Sequence, residues 1–220
     1  MAQLKVGSIM NFRGLLKRSI KNAFLLLAMP VYACYWLLAI ISGSDSAFQT
    51  FSQTLSLIPG KVGIYSRAAF YRLACPNTSD DISIGFLTVF SHRDTSIHRG
   101  VYIGPQCNIG KCTIGTNTLI GSGVHILSGS RQHEFSNIKI PIQDQGGRYK
   151  KIEIGENCWL GNQALVMEEL KPHTIVAAGS VVTKPSNSGD ILAGNPARLV
   201  KSRFASTDGV SAMKSDTGAL

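Results

Sequence analysis

The chain has 220 residues, enough for one domain with a full core and a small appendage. Charged residues make up only 16% and glycine is frequent at 22 positions, which excludes a surface-rich helical domain and favours a repeat built on tight turns. The 22 basic and 13 acidic side chains leave a charge of +9, so an anionic partner is expected, with nucleic acid, phospholipid and a phosphate-bearing cofactor all open. Cys34, Cys75, Cys107, Cys112 and Cys158 are odd in number and form no CxxC. They signal neither a zinc site nor a disulfide set and read as reduced thiols of a protein facing the cytosol.

Residues 1–22 carry Lys5, Arg13, Lys17, Arg18 and Lys21 without an acid, and Ala23 to Ile41 then run without a charge. Nineteen apolar positions nearly reach the roughly 20 that cross a bilayer. A cleaved signal peptide is the competing reading, but the stretch is too long and no small-x-small site follows it. Membrane association through residues 23–41 is therefore expected. Ser42 to Gly60 contains Asp45 and no Lys or Arg, so the basic flank holds the N-terminus in the cytoplasm. A plain crossing would export everything beyond Ser42. Pro30 removes a backbone donor and is expected to kink or break the helix, letting its halves dip into one leaflet and return. The segment that follows mixes Phe, Leu, Ile and Tyr with Lys61, Arg67 and Arg72, which predicts two interfacial helices broken at Pro59-Gly60. The chain divides accordingly into a basic and membrane-associated helical part (1–46) and an amphipathic helical linker (47–81).

From Ile82 an aliphatic residue returns every sixth position, at Ile84 and Phe90, then at Ile97, Ile103 and Ile109. One five-residue step leads to Ile114, Ile120 and Ile126; Ile154, Leu160 and Val166 resume the hexads, and after a slip of four so do Leu170, Val176 and Val182. Neither an α-helix nor an ordinary strand has this period. It predicts a coil of three flat faces whose aliphatic residues point inward and stack between turns, with Gly and Asn at corners that often need positive φ.

These hexads, with WLGN at Trp159–Asn162, AAGSVVTK at Ala177–Lys184 and AGNPARLV at Ala193–Val200, closely resemble the hexapeptide-repeat acyltransferases over about residues 82–201. GIYSRAAFYRL, GFLTVFSH and VYIGPQCNIG are similar to the branch of surface-polysaccharide sugar O-acetyltransferases. The resemblance implies a mainly β fold, a left-handed parallel β-helix over 82–200 that forms a homotrimer. It also implies transfer of an acetyl group from acetyl-CoA to a sugar or glycolipid hydroxyl, with no metal and no nucleic acid. With the N-terminal segment, it places the catalytic domain on the cytoplasmic face of a bacterial inner membrane, working on a lipid-linked polysaccharide intermediate.

The repeat is interrupted from Leu127 to Glu153, a 27-residue excursion that is expected to carry function. It contains His133, and a histidine on such a loop is the family's general base. A thioester needs little help at its leaving group, whereas a sugar hydroxyl must be made nucleophilic, a task for neutral imidazole near pH 7. Glu134 or Asp144 could orient the ring. His125, expected on the outer wall, is the rival base. His92, His98 and His125 raise a metal alternative like the zinc site of related β-helical hydratases, which needs nitrogens held at about 2.0 Å. His173, in the register slip, reads as a turn residue.

The family's donor site carries over to Asn162, Ala178 and Gly179 along the pantetheine arm, and to Thr183, Lys184 and Arg198 near the adenosine end. Lys supplies a mobile point charge and Arg a planar fork for phosphates. Trp159 and Asn108 face outward by register; Trp159 is a candidate either to stack on the acceptor or to fill a trimer interface, and Asn108 to position the acceptor. The alternatives are an acetyltransferase for a diffusible antibiotic or amino acid, a zinc hydratase, and a tethered scaffold. Residues 201–220 are small and polar without periodicity and are expected to form a disordered tail.

Overall fold

A computed structural model describes residues 2–204, with side chains from Gly14 onward. Lys5 and Arg13 of the basic flank, and residues 205–220 of the expected tail, therefore lie outside the described side chains. The chain opens with a long helix α1 (Ala2–Ser42), followed by α2 (Ser44–Ser56) and α3 (Gly60–Ala74). Within α1, Gly14–Ser42 is long and apolar enough to cross a membrane, with a mean hydropathy of 2.2 over an 18-residue window.

The expected break at Pro30 is absent, because α1 continues through it. The chain instead reverses at Gly43, whose φ of +83° is open to glycine at little cost. Strong helix formers, Leu26, Leu27, Ala28 and Met29, precede Pro30 and carry the helix past the missing donor. The break expected at Pro59-Gly60 falls between α2 and α3.

From Ser83 the aliphatic runs become very short strands. The first coil holds β1 (Ser83–Ile84), β2 (Val89–Phe90) and β3 (Ser96–Ile97); the second holds β4 (Tyr102–Ile103), β5 (Asn108–Ile109) and β6 (Cys112–Ile114). The third holds β7 (Leu119–Ile120), β8 (His125–Ile126) and, after the excursion, β9 (Ile152–Ile154). Then follow β10 (Trp159–Leu160), β11 (Leu165–Val166), β12 (Ile175–Val176) and β13 (Val181–Val182), and the chain closes with β14 (Asp190–Gly194) and β15 (Ala197–Ser202). Among the described residues the strands pair in parallel with their counterparts one coil away, giving three sheets, and only β14 with β15 is antiparallel. The first sheet runs β1-β4-β7-β10-β12-β14-β15, the second β2-β5-β8-β11-β13 and the third β3-β6-β9.

The hexad residues form the core. Ile84, Ile103, Ile120, Leu160 and Val176 stack behind the first sheet, and Phe90, Ile109, Ile126, Val166 and Val182 behind the second, each at most 2% exposed. Burial of such side chains contributes about 1.5–3 kcal/mol each. The glycines that follow them act differently from the expectation: Gly104, Gly121 and Gly161 do not have positive φ. They are required by space, since a Cβ on Gly161 would lie 2.5 Å from the Ala178 amide nitrogen. Positive φ falls instead on corner residues such as Asn117, Asn157 and Gly179.

An open coil end exposes backbone groups that need partners. Helices α2 and α3 supply them at the first coil. The Leu87 amide donates to the Ser56 carbonyl at 3.0 Å, and the Phe90 amide donates to Ser52 Oγ at 2.8 Å. Arg67, expected at a membrane interface, is wholly buried. Its Nε donates to the Ile84 carbonyl at 2.9 Å, while its Nη1 donates to the carbonyls of Leu55 at 3.0 Å and Ile58 at 2.8 Å. This guanidinium closes the C-terminal carbonyls of α2 and joins the helices to the coil, and burial lowers its pKa. At the opposite end β15 extends the first sheet beyond β14 and takes in Lys201 and Ser202, residues assigned to the tail from sequence.

Candidate active site

The second sheet is flanked by two corners, and most of the expected donor residues and the base of the excursion lie at them. At the corner entering this sheet stand Ser122, Asn162, Ala178 and Gly179 on successive coils. Asn162 Oδ1 accepts from the Ser122 amide at 3.0 Å, and its carbonyl accepts from the Gly179 amide at 2.9 Å. The Asn162 side chain is thus committed to the neighbouring coil. Ala178 and Gly179 are exposed, and nothing lies within 4 Å of a Cβ built on Gly179, so this corner presents a smooth open wall. The Gly194 amide donates to Ser180 Oγ at 3.1 Å, bringing the β14–β15 turn to the same corner. Exposed Arg198 on β15 pairs with Ala193 on β14, close to that turn. Thr183 and exposed Lys184 lie at the far edge of the sheet, beyond β13.

The excursion leaves at this far edge after β8. It rejoins at Ile152 rather than after Glu153, because Ile152–Glu153–Ile154 pair with Cys112–Thr113–Ile114. Its two arms return alongside each other: the Lys150 amide donates to the Ser128 carbonyl at 2.9 Å, the Arg148 amide to Arg131 at 2.9 Å and the Glu134 amide to Gly146 at 3.0 Å. Lys150 Nζ reaches Glu169 Oε1 at 2.9 Å, and Ser130 Oγ donates to Glu168 Oε1 at 3.2 Å, pinning the base of the loop to the next coil. The hydrogen bond from Lys150, chiefly, holds the Glu169 carboxyl below its usual range.

His133 stands exposed on the outgoing arm. Among the described residues neither Glu134 nor Asp144 hydrogen-bonds its ring. Gly147 lies flush against its backbone: a Cβ there would run into the Gln132 carbonyl oxygen and come within 3.0 Å of the His133 Cα. The sequence reading missed Gly147, and the Gly146-Gly147 pair was the signal that could have found it. Beyond His133 the loop exposes Phe135, Ile138, Ile140 and Ile142, with Ile138 96% exposed.

Asn108 and His125 both face outward on the second sheet, as the register requires, and they are direct partners on adjacent coils. Trp159 is 51% exposed on the first sheet, in register with exposed Leu119 and, one coil further, Tyr102. The three histidines of the metal alternative diverge. His92 Nδ1 bonds Ser91 Oγ at 2.9 Å and its ring faces Tyr149, whereas His98 lines a groove with Thr113 and Glu156. Among the described residues no three His, Cys, Asp or Glu side chains converge on one point. His173, at φ +66°, is a turn residue held by Asn157. Burial pushes the Cys112 thiol up to about 12 and Cys158 up to about 11, which makes both poor nucleophiles.

The family model described as "Bacterial transferase hexapeptide (six repeats)" matches residues 94–128. The chain is 29% identical over 117 residues to chloramphenicol acetyltransferase of Klebsiella aerogenes, covering 44% of this chain and 54% of that protein. It is 28% identical over 107 residues to the putative colanic acid biosynthesis acetyltransferase WcaF of Escherichia coli K12, covering 46% and 55%. The chain thus spans about half the length of these curated relatives. A galactoside acetyltransferase solved in complex with coenzyme A shares the fold, with a TM-score of 0.60, 20% identity and coverage of 74% of this chain and 84% of that one.

Proposed function

We propose that this hexapeptide-repeat chain is an acetyl-CoA-dependent O-acetyltransferase that modifies a sugar hydroxyl, with a lipid-linked polysaccharide intermediate as acceptor. The observation that carries the reading is the pairing of an open, small-residue wall at Ala178–Gly179 with a pinned loop that presents His133 outside the coil. The similarity to WcaF, and a relative in fold that binds coenzyme A, support the same chemistry.

In this mechanism the pantetheine arm lies along Asn162, Ala178 and Gly179, and Thr183, Lys184 and Arg198 meet the adenosine end. The His133 imidazole takes the proton of the acceptor hydroxyl, whose oxygen attacks the thioester carbonyl. The carbon–sulfur bond breaks, the acetyl group passes to oxygen, and the departing CoA thiolate receives the proton. Asn108 and Trp159 contact the acceptor. The exposed apolar tip of the loop is covered by another protomer of a homotrimer, since Phe135, Ile138 and Ile142 are costly to leave in water. Helix α1, packed on α2 and α3 and tied to Asp81, holds the enzyme on the cytoplasmic face of the inner membrane by its exposed apolar side, Leu26, Leu37, Ile40 and Ile41, without crossing it.

The test is transfer from labelled acetyl-CoA to a panel of glycolipids, with the modified hydroxyl then located. Acetylation of a glycolipid and not of free sugar supports the reading. The similarity to chloramphenicol acetyltransferase favours a second reading, a diffusible small acceptor, and turnover of chloramphenicol in the same assay would select it.

A further inference from the structure

Helix α1 carries one stripe whose character changes along its length. Lys17 and Lys21 come first; Phe24, Ala28 and Val31 follow at helical spacing on the same side. The basic part faces Lys61, Tyr65, Asp81 and Tyr102 across a cavity of about 390 Å³. The apolar part faces Leu55, Ile58, Val62 and Phe70 across a groove of about 260 Å³. Phe24 stacks on Tyr65 at 5.3 Å between ring centroids and forms the threshold between the two spaces.

Each half selects its occupant. Ser66 carries the only side-chain polar group described along the groove, so a polar ligand would lose its hydrogen bonds there and only hydrocarbon fits without penalty. The stripe from Phe24 to Val31 is about 10 Å long, room for part of an acyl or isoprenoid chain. In the basic half Lys21 and Lys17 share one carboxylate, Asp81, at 2.6 and 3.2 Å. Lys61 is exposed and bonds no acid among the described residues. Three cations against one anion leave a positive site that a phosphate would neutralise.

We propose that this bipartite cleft binds a phosphate-headed lipid, with its hydrocarbon chain in the α1–α3 groove and its phosphate at Lys21 and Lys61. Tyr102 lies on the far side of the phosphate position and begins the exposed row that continues to Leu119 and Trp159. A sugar carried on the phosphate is directed along that row. This last step rests on the acetyltransferase reading; the lipid site does not.

The full chain, purified in neutral detergent, is titrated with dioleoyl phosphatidic acid, with dioleoyl phosphatidylcholine and with inorganic phosphate, and bound lipid is counted by native mass spectrometry. Phosphatidic acid is expected to bind at least tenfold more tightly than phosphatidylcholine, and millimolar inorganic phosphate to leave it bound. Lys61→Glu should weaken phosphatidic acid about tenfold, above the roughly fivefold of one lost cation near a lipid surface. Ser66→Phe, which fills the groove, should weaken both lipids. Equal binding of the two lipids, insensitivity to Lys61→Glu, displacement by inorganic phosphate, or a second protomer cross-linked across the groove would each overturn the proposal. Lipid binding without acetyl transfer would reject the proposed function and leave the lipid site standing; transfer without selective binding would do the reverse.

Discussion

Asn108 and His125 are register partners on neighbouring coils of the second sheet, both with exposed side chains. His125 is therefore a wall residue beside a polar neighbour, whereas His133 projects from the pinned loop. His125→Ala and Asn108→Ala are expected to raise the acceptor KM several-fold with little loss of kcat, as removal of uniform binding does. Steady-state kinetics at varied acceptor checks this, and a collapse of kcat in His125→Ala would move the base to the wall.

Gly147 packs flush against the backbone that carries His133. Gly147→Ala should displace His133 and lower kcat about 10²-fold, because a misplacement near 1 Å has that effect. CoA affinity, measured by calorimetry, should stay within twofold, since the pantetheine corner at Asn162, Ala178 and Gly179 lies across the sheet from this loop. Equal losses in both would mean that the loop and the wall are not independent.

Gly161 and Gly179 separate architecture from donor binding. A Cβ at Gly161 meets the backbone of the next coil at 2.5 Å, so Gly161→Ala is expected to destabilise the protein by about 1–3 kcal/mol. At Gly179 the space is open and the penalty is mainly that of φ +68°, about 1 kcal/mol. Gly179→Ala should therefore fold and lose CoA affinity, which thermal unfolding with and without CoA would separate.

Lys17 and Lys21 of α1 bond Asp81, just ahead of the coil, and Arg18 bonds Asp80 beside it. The hydrogen bond from Lys21, the largest cause, holds the Asp81 carboxyl below the usual range against the opposing desolvation, with Lys17 adding to it. A depressed folded pKa gives stability that is present above the ordinary carboxylate value and lost as pH falls through the folded one. Asp81→Asn should lower the Tm at pH 7, and the difference should shrink once pH falls below the unfolded carboxylate near 3.9 and vanish below the depressed folded value. A difference that persists unchanged at pH 3 would show that the charge is not responsible.

The coil was legible because each hexad position has one role: an aliphatic residue either stacks inside or leaves a hole. Ile84 through Val182 all went where the period put them. The outward positions of Asn108, His125 and Trp159 followed from the same alternation. Their partners did not, because neighbours across a sheet depend on the length of each coil, and the excursion before Ile152 hides that length. Arg67 was unreadable for a different reason. A cation in an amphipathic run ordinarily faces solvent or lipid headgroups, and only the open end of a coil, with carbonyls in need of donors, draws it inside. Pro30 misled in the opposite sense, since its local penalty was outweighed by the helix on either side and the reversal fell to Gly43.

The central claim is that His133 is the base for transfer from acetyl-CoA. The most direct measurement is the acetyl-transfer rate of His133→Ala on the accepted glycolipid, together with its CoA affinity. The account predicts a rate lowered by about 10²–10⁴ with CoA binding unchanged; a folded His133→Ala protein that keeps full turnover would contradict it.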